Sequence, residues 1–372
     1  MSRFRQQYSF FIGLTFPLHR IESKQSYFFH KLTYGIITEE HLHVEIITSE
    51  VRFLIITLSP MAGVSDKSFR KLCTSMGADV TFTEMISVNG LTKKNKKSFQ
   101  MLPDVDEHAV VQLFGKEPEL FLRAAELIGD RARWIDINAA CPVFKVTKRG
   151  YGSALMKTPS LLRKIVELLS SNGIKVSVKM RIGWEEQKNF MEVARAASDG
   201  GAFLITIHGR TVEQGYSGKA DWEPAKLLKK ALKTKIGISG DIFTPYDAVN
   251  ASTFTNADYI FIARGSIGNP WIFEDTKSLV ANGEFSLPSL VEREKIIKKH
   301  LDMEIEEYGL HGIIMFRKFL VRYLKNLPQS HEIKESFMRM ENYEELTKVL
   351  DAYFDKLISC EQGGVEGGNI EG

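Results

Sequence analysis

The feature that most restricts the fold is an alternation that begins near residue 53 and persists for more than two hundred residues. A short apolar run is followed by a polar or glycine-containing loop and then by a helix-like segment. Runs at residues 53–58, 79–82, 110–113, 134–137, 175–179, 203–207, 235–238 and 259–262 read as eight strands. Between most of them lie amphipathic segments such as 119–128, 159–171 and 187–198, and Ser65 or Asp66 can cap a helix that carries Phe69 and Leu72 on one face. Eight strands alternating with helices predict a closed parallel (β/α)8 barrel. An open doubly wound sheet is the alternative. It fits less well, because polar residues follow almost every strand instead of clustering at one crevice.

Those polar residues carry the functional reading. In order, the strand ends supply Met61 and Ala62, Glu84, Gln112, Asn138 with Cys141, Lys179, His208 with Arg210, Ser239-Gly240-Asp241, and Ala263-Arg264-Gly265. A barrel brings such positions together on one face, where these folds place their active sites. Each also has a plainer reading: Gln112 could cap its own loop, His208 could be a satisfied histidine, and Lys179 could snorkel from its strand. The loops after strands seven and eight are placed to form a phosphate site from backbone N–H groups, with Arg264 in reach.

The stretch 134–156 joins a buried strand to a thiol and a basic loop. Cys141-Pro142 lies just past the strand, and Lys145, Lys148 and Arg149 follow, with Gly150 and Gly152 giving the backbone room to approach a ligand. An anion or phosphate could lie beside the thiol. The plainer reading of Cys141 is a buried small residue, as most free cysteines are.

With 44% hydrophobic and 26% charged residues, 372 residues can bury a barrel-sized core and a smaller domain. A net charge of +3 does not by itself mark a nucleic-acid protein, so any basic surface must be local. Three cysteines in no metal-ligand spacing argue against a disulfide framework and a zinc site and suit a reducing cytoplasm. No metal is expected. Residues 8–18 imitate the apolar part of a signal peptide, but no small-x-small cleavage site follows and His19 and Arg20 interrupt the run. Residues 1–50 are therefore read as an extension of unknown role. No later stretch has the roughly 18 apolar residues of a membrane span.

After Trp271 the alternation stops, and residues 290–308, 312–324 and 343–357 read as three helices. Arg317, Lys318, Arg322 and Lys325, with Phe319 and Tyr323 interleaved, can form a basic stripe, although a solvated helix face is the alternative. The Gly/Glu-rich tail, 361–372, is expected to be disordered. These features divide the chain into an extension (1–50), a barrel (51–284), an all-α domain (285–358) and a tail (359–372).

The motifs SPMAGVSDKSFR (59–70), VVQLFG (110–115), DINAACPVFKVTKRGYGSALM (136–156), VSVKMRIGW (176–184), IHGRTVEQGYSGKADW (207–222) and IARGSIGNPWIF (262–273) occur in order. With them the chain from Ser59 to about Phe354 resembles the flavin-dependent tRNA-dihydrouridine synthases. The resemblance implies a TIM barrel holding FMN, a C-terminal helical domain that grips tRNA, and NADPH (or NADH) as reductant. It implies flavin contacts from Pro60, Met61, Ala62, Gln112, Lys179, His208, Ser239, Gly240, Asp241, Ala263 and Arg264, with Cys141 as the proton donor. Three departures from the family pattern are Ala140 before the cysteine, Ser239 before Gly240-Asp241, and Ala263 before Arg264.

Reducing the C5–C6 bond of uridine takes a hydride at one carbon and a proton at the other. A thiol of ordinary pKa, roughly 8.5, is protonated at neutral pH and can supply the proton. Lys148 and Arg149 are therefore expected to face RNA phosphate and not the sulfur, and Asn138 and Arg210 to hydrogen-bond the uracil edge. A monomer is expected. The competing readings are a flavin barrel acting on a free small molecule and a tRNA-binding folding factor.

Overall fold

The structure, a computed structural model, describes residues 54–185 and 188–363. The readings placed on residues 1–53 and on the tail from 364 lie outside them. The strands are β1 (Ile55–Leu58), β2 (Val80–Thr81), β3 (Ile86–Ser87), β4 (Val111–Phe114), β5 (Ile135–Ala139), β6 (Val176–Arg181), β7 (Leu204–His208), β8 (Lys235–Ser239) and β9 (Tyr259–Ile262). All pair in parallel, in the order β2-β1-β9-β8-β7-β6-β5-β4-β3.

The barrel closes where sequence reading saw a single second strand. Phe82 bridges to Val110 and Ile86 pairs with Leu113, so the 82–86 side spends one residue more than the 110–113 side. That extra residue splits the strand into β2 and β3, as a bulge does. The Val110 amide donates to the Thr81 carbonyl at 2.8 Å and the Thr83 amide to the Val110 carbonyl at 2.9 Å, which completes the eight-stranded ring.

Strand alternation divides the side chains. On β5, Ile135, Ile137 and Ala139 join the layer of apolar contacts with the helices, and Asp136 and Asn138 take the opposite face. Val80, Phe82, Val110, Trp134, Leu204, Tyr259 and Phe261 form a separate apolar cluster at the start of the strands. Its rings pack closely, with Phe82 5.2 Å from Phe261 and 6.0 Å from Trp134. This plug fills the amino-terminal end of the barrel and leaves the carboxyl end for polar groups.

The main outer helices are α1 (Lys67–Ser75), α2 (Pro118–Ile128), α3 (Phe144–Thr147), α4 (Pro159–Ser171), α5 (Phe190–Asp199), α6 (Glu223–Ala231), α7 (Pro245–Thr255) and α8 (Ile272–Asn282), with two five-residue helices, Val88–Thr92 and Lys96–Gln100, between α1 and α2 and short turns elsewhere. Asp66 is the cap of α1, its carboxylate accepting from the Phe69 amide at 3.0 Å, and Phe69 and Leu72 are buried as expected. Gly283, at φ +78°, ends α8 in the left-handed region.

A capping box between Ser289 and Glu292 then starts α9 (Leu290–Tyr308). It is followed by α10 (His311–Tyr323), α11 (Ser330–Phe337) and α12 (Tyr343–Gly363). Sequence reading missed α11, which is short and begins without a side-chain cap. It also ended α12 too early.

These helices dock on the barrel through α1. Phe69 lies 4.8 Å from the Phe319 ring and stacks 5.5 Å from His300, and Ser68 Oγ donates to the Met303 carbonyl at 3.0 Å. A Cβ on Gly268 would sit 2.4 Å from the Arg322 carbonyl carbon, so the loop after β9 and the end of α10 meet backbone to backbone. None of the described helices is long and apolar enough to cross a membrane.

Candidate active site at the barrel mouth

A cavity of about 420 Å³ opens at the carboxyl ends of the strands. Pro60, Met61 and Ala62 reach it from the loop after β1, Gln112 from β4, Asn138 and Cys141 from β5, Lys179 from β6 and His208 from β7. Ser239, Gly240 and Asp241 line it after β8, and Ala263 and Arg264 after β9. Register explains the convergence. Gln112 is paired with Asp136, Asp136 with Ser177, Asn138 with Lys179, and His208 with Ser239, so side chains read from separate motifs become neighbours around the ring.

Beneath Cys141 runs a chain of hydrogen bonds. Trp134 Nε1 donates to Ser177 Oγ at 2.9 Å, and Ser177 donates to Asp136 Oδ1 at 2.5 Å. Gln112 Nε2 donates to Asp136 Oδ2 at 2.7 Å, and Asn138 Nδ2 donates to Gln112 Oε1 at 2.8 Å. Asn138 Oδ1 in turn accepts the amides of Ala140 at 3.1 Å and Cys141 at 2.9 Å. Acceptors and donors alternate along the whole chain, so each carboxamide has one preferred orientation.

Asn138, expected at the uracil edge, lines the cavity and has a structural role as well. Its carboxamide holds the Cys141 turn, and its remaining N–H faces only the Met85 sulfur at 3.8 Å. Arg210, also expected at the uracil edge, is buried and is not among the residues that line the cavity. Its Nε donates to the Ser217 carbonyl at 3.0 Å and its NH2 to the Gly218 carbonyl at 2.6 Å and to Asp241 Oδ2 at 2.7 Å. Asp241 also accepts from the Ala220 amide at 2.8 Å and Arg264 at 3.2 Å. Its carboxylate therefore holds the loops after β7, β8 and β9 together. Glu84 likewise braces a loop, accepting the Gly63 amide.

Positive charge dominates the cavity. Burial, followed by the charge of Arg181, brings Lys179 down to about 8, while Asp136 pulls it upward. Burial and then Lys179, Arg181, Arg210 and Arg264 pull His208 down to about 2, so its ring is neutral. His208 Nδ1 is buried with no hydrogen-bond partner among the described residues. Burial pushes the Cys141 thiol up, with the Val143 backbone and Arg181 opposing, so the sulfur keeps its proton at neutral pH.

Arg181 and Tyr216 were missed from sequence. Arg181 lies on β6 two residues after Lys179 and donates to the Ala140, Thr211 and Gly215 carbonyls at 2.9, 2.8 and 3.0 Å. The alternation in VSVKMR was the available signal, since it puts both cations on one face. Tyr216 stands exposed at the rim with Arg264 4.5 Å over its ring; it lies inside the motif at 207–222, which was the available signal.

Lys148 and Arg149 are exposed on the loop that carries α3 and do not line the cavity. The basic stripe on α10 is narrower than its sequence. Lys318 pairs with the buried Asp66 at 3.0 Å, and Arg317 donates to the Met340 carbonyl at 3.0 Å. Arg322 and Lys325 remain exposed. Among the described residues no group of His, Cys, Asp and Glu could hold a metal ion.

A cation-rich cavity at the mouth of a (β/α)8 barrel, lined in part by a protonated thiol, is the arrangement of a barrel enzyme's active site. Residues 57–358 match the family model described as dihydrouridine synthase. The chain is 34% identical over 317 residues to tRNA-dihydrouridine synthase B of Pasteurella multocida, covering 83% of this chain and 96% of the relative. The same enzyme of Shewanella oneidensis is 33% identical over 308 residues, covering 81% and 95%. A probable tRNA-dihydrouridine synthase of Rickettsia prowazekii is 37% identical over 287 residues, covering 75% and 88%. The chain belongs to the dihydrouridine synthase family.

Proposed function

We propose that the protein reduces the C5–C6 double bond of uridines in tRNA to 5,6-dihydrouridine, with FMN in the barrel mouth and NADPH as reductant. The observation that carries this reading is Cys141, a protonated thiol on the rim of a cation-lined cavity in a chain that matches the family from end to end of its barrel. A ligand that is free and small would leave the exposed Lys145, Lys148 and Arg149 without a role.

The residues present fit a flavin. A Cβ on Gly265 would sit 2.2 Å from the Ile242 carbonyl oxygen, and Gly240 is at φ +122°. The two loops therefore pack backbone to backbone, a cradle suited to a phosphate held by amides and by Arg264. The unpartnered His208 Nδ1 suits a ring or ribityl acceptor or donor, and Gln112 and Lys179 suit the polar edge of a pyrimidine ring. Pro60, Met61 and Ala62 would close the remaining side. Bound flavin supplies the hydride.

The chain's own residues do the rest. Cys141 delivers its proton to C5, and burial helps, because a thiol raised above its ordinary value remains an acid at neutral pH. Asn138 holds the turn that presents it. Lys179 sets positive charge where reduction adds negative charge. Lys145, Lys148, Arg149, Arg322 and Lys325 would take RNA phosphates, with residues 51–284 as the catalytic domain and 285–358 as the tRNA-binding domain.

The test uses flavin-loaded protein, NADPH and unmodified tRNA, with dihydrouridine mapped by mass spectrometry. Wild type should form it, and Cys141→Ala should keep flavin reduction by NADPH while losing most product. Undiminished turnover in the alanine variant would remove the general-acid role. A wild type that oxidises NADPH and leaves tRNA unmodified would return the small-molecule reading.

A further inference from the structure

Phe144 is the most exposed large apolar side chain among the described residues, at 74%, and it stands three positions after Cys141. The loop that displays it is well anchored. Val146 is buried, the Ser153 amide donates to the Cys141 carbonyl at 3.1 Å, and Gly152 sits at φ +62° where a Cβ would come 3.0 Å from that same carbonyl oxygen. The ring is therefore held out into solvent by a loop that has little freedom to fold it away.

Charge surrounds it. Lys145, Lys148 and Arg149 are exposed and form no ion pair among the described residues, and Lys148 Nζ lies 5.7 Å from the Phe144 ring centroid. An aromatic face among unpaired cations suits a polyanion that carries flat rings, and single-stranded nucleic acid has that chemistry. A protein partner would need acidic groups and an apolar surface matched to one small patch.

We propose that Phe144 is a stacking platform for a nucleobase of tRNA next to the uridine being reduced, with Lys148 and its neighbours on the flanking phosphates. The inference rests on the function proposed above. A uridine can reach the barrel mouth only by leaving its stack, and this uncovers the face of an adjacent base. Phe144 lies beside the entrance and replaces the lost neighbour.

The experiment compares Phe144→Ala, Phe144→Leu and Phe144→Trp in the flavin-loaded enzyme with unmodified tRNA and NADPH. Alanine and leucine should each raise the KM for tRNA about tenfold, in the range that loss of one base–aromatic stack produces. Tryptophan should hold it at or below the wild-type value. Flavin reduction by NADPH without tRNA serves as the control and should be unchanged, because Phe144 does not line the cavity. Full recovery by leucine would mean apolar contact and not stacking, and an unchanged KM in the alanine variant would end the proposal. A wild-type dimer that alanine converts to monomer in sedimentation would assign the face to a second copy of the chain. The two readings separate cleanly. If wild type makes no dihydrouridine the functional proposal fails, and if wild type makes it and alanine matches it only the stacking role fails.

Discussion

Asp136 touches neither the cavity nor the thiol, yet it is the fixed end of the hydrogen-bond chain that reaches Cys141. Burial raises its pKa to about 6, against the hydrogen bonds from Ser177 and Gln112 and the charge of Lys179. As a carboxylate it accepts from both donors, which sets Gln112 and through it Asn138. In Asp136→Asn one of the two donors meets an N–H: either the Ser177 hydroxyl turns to accept and loses its own acceptor, or Gln112 flips and turns Asn138 Nδ2 towards the Cys141 amide. We expect kcat/KM for tRNA to fall about tenfold, the cost of roughly one unmade buried hydrogen bond. Wild type should also lose activity below about pH 6 as Asp136 protonates, and the variant should lack that limb of the profile. A variant that keeps the limb would place its origin elsewhere. Asp136 was legible in principle, because it sits two residues before Asn138 on one strand, and alternation gives them the same face. What sequence could not supply is the register that sets Gln112 and Ser177 beside it.

The seam between α1, α9 and α10 holds a buried polar cluster that no motif announces. Glu304 is fully buried, with Oε1 3.5 Å from His300 Nε2 and a protonated carboxyl placed to hydrogen-bond Asp66. Burial, and then the charge of Asp66, raises its pKa to about 9 against the pull of Lys318, so it is neutral at pH 7. His300, one turn earlier, is brought down to about 3 by burial and Lys318 and meets Tyr323 Oη at 3.1 Å. A carboxyl whose folded pKa exceeds its unfolded value of 4.5 contributes its full stability below that value and loses it as pH rises towards about 9. Glu304→Gln stays neutral throughout. Its melting temperature should match wild type near pH 4.5 and exceed it by several degrees at pH 8.5, and equal values at both pH would show that Glu304 is not held neutral. The elements themselves were readable where a period or a cap was strong: seven strands, α4, α9 and the Asp66 cap. The bulge that divides β2 from β3 was not, because a bulge is defined by the partner strand. Nor was the commitment of Lys318, since helical spacing says which residues share a face and nothing about the Asp66 carboxylate that faces them.

For the molecule as a whole, the net charge of +3 gives no general field to hold tRNA, and on the function proposed above we assign its affinity to two separate local clusters. One is the loop of Lys145, Lys148 and Arg149 beside Cys141. The other is Arg322 with Lys325, which the backbone contact at Gly268 holds next to the cavity residue Ile267. A cation that meets phosphate releases a counterion and adds about 0.7–0.9 to the slope of log affinity against log salt. Lys148→Gln with Arg149→Gln should lower that slope by about 1.5, Arg322→Gln with Lys325→Gln should do the same, and the two losses should add because the clusters share no partners. Lys318→Met separates this geometry from a simple basic stripe. Its charge is already balanced by Asp66, so the variant should weaken the docking of the helices and lower the melting temperature while leaving the slope within error. A slope that fell as far for Lys318→Met as for Arg322→Gln would mean that α10 presents its whole basic face to RNA and that the pairing with Asp66 opens when tRNA binds.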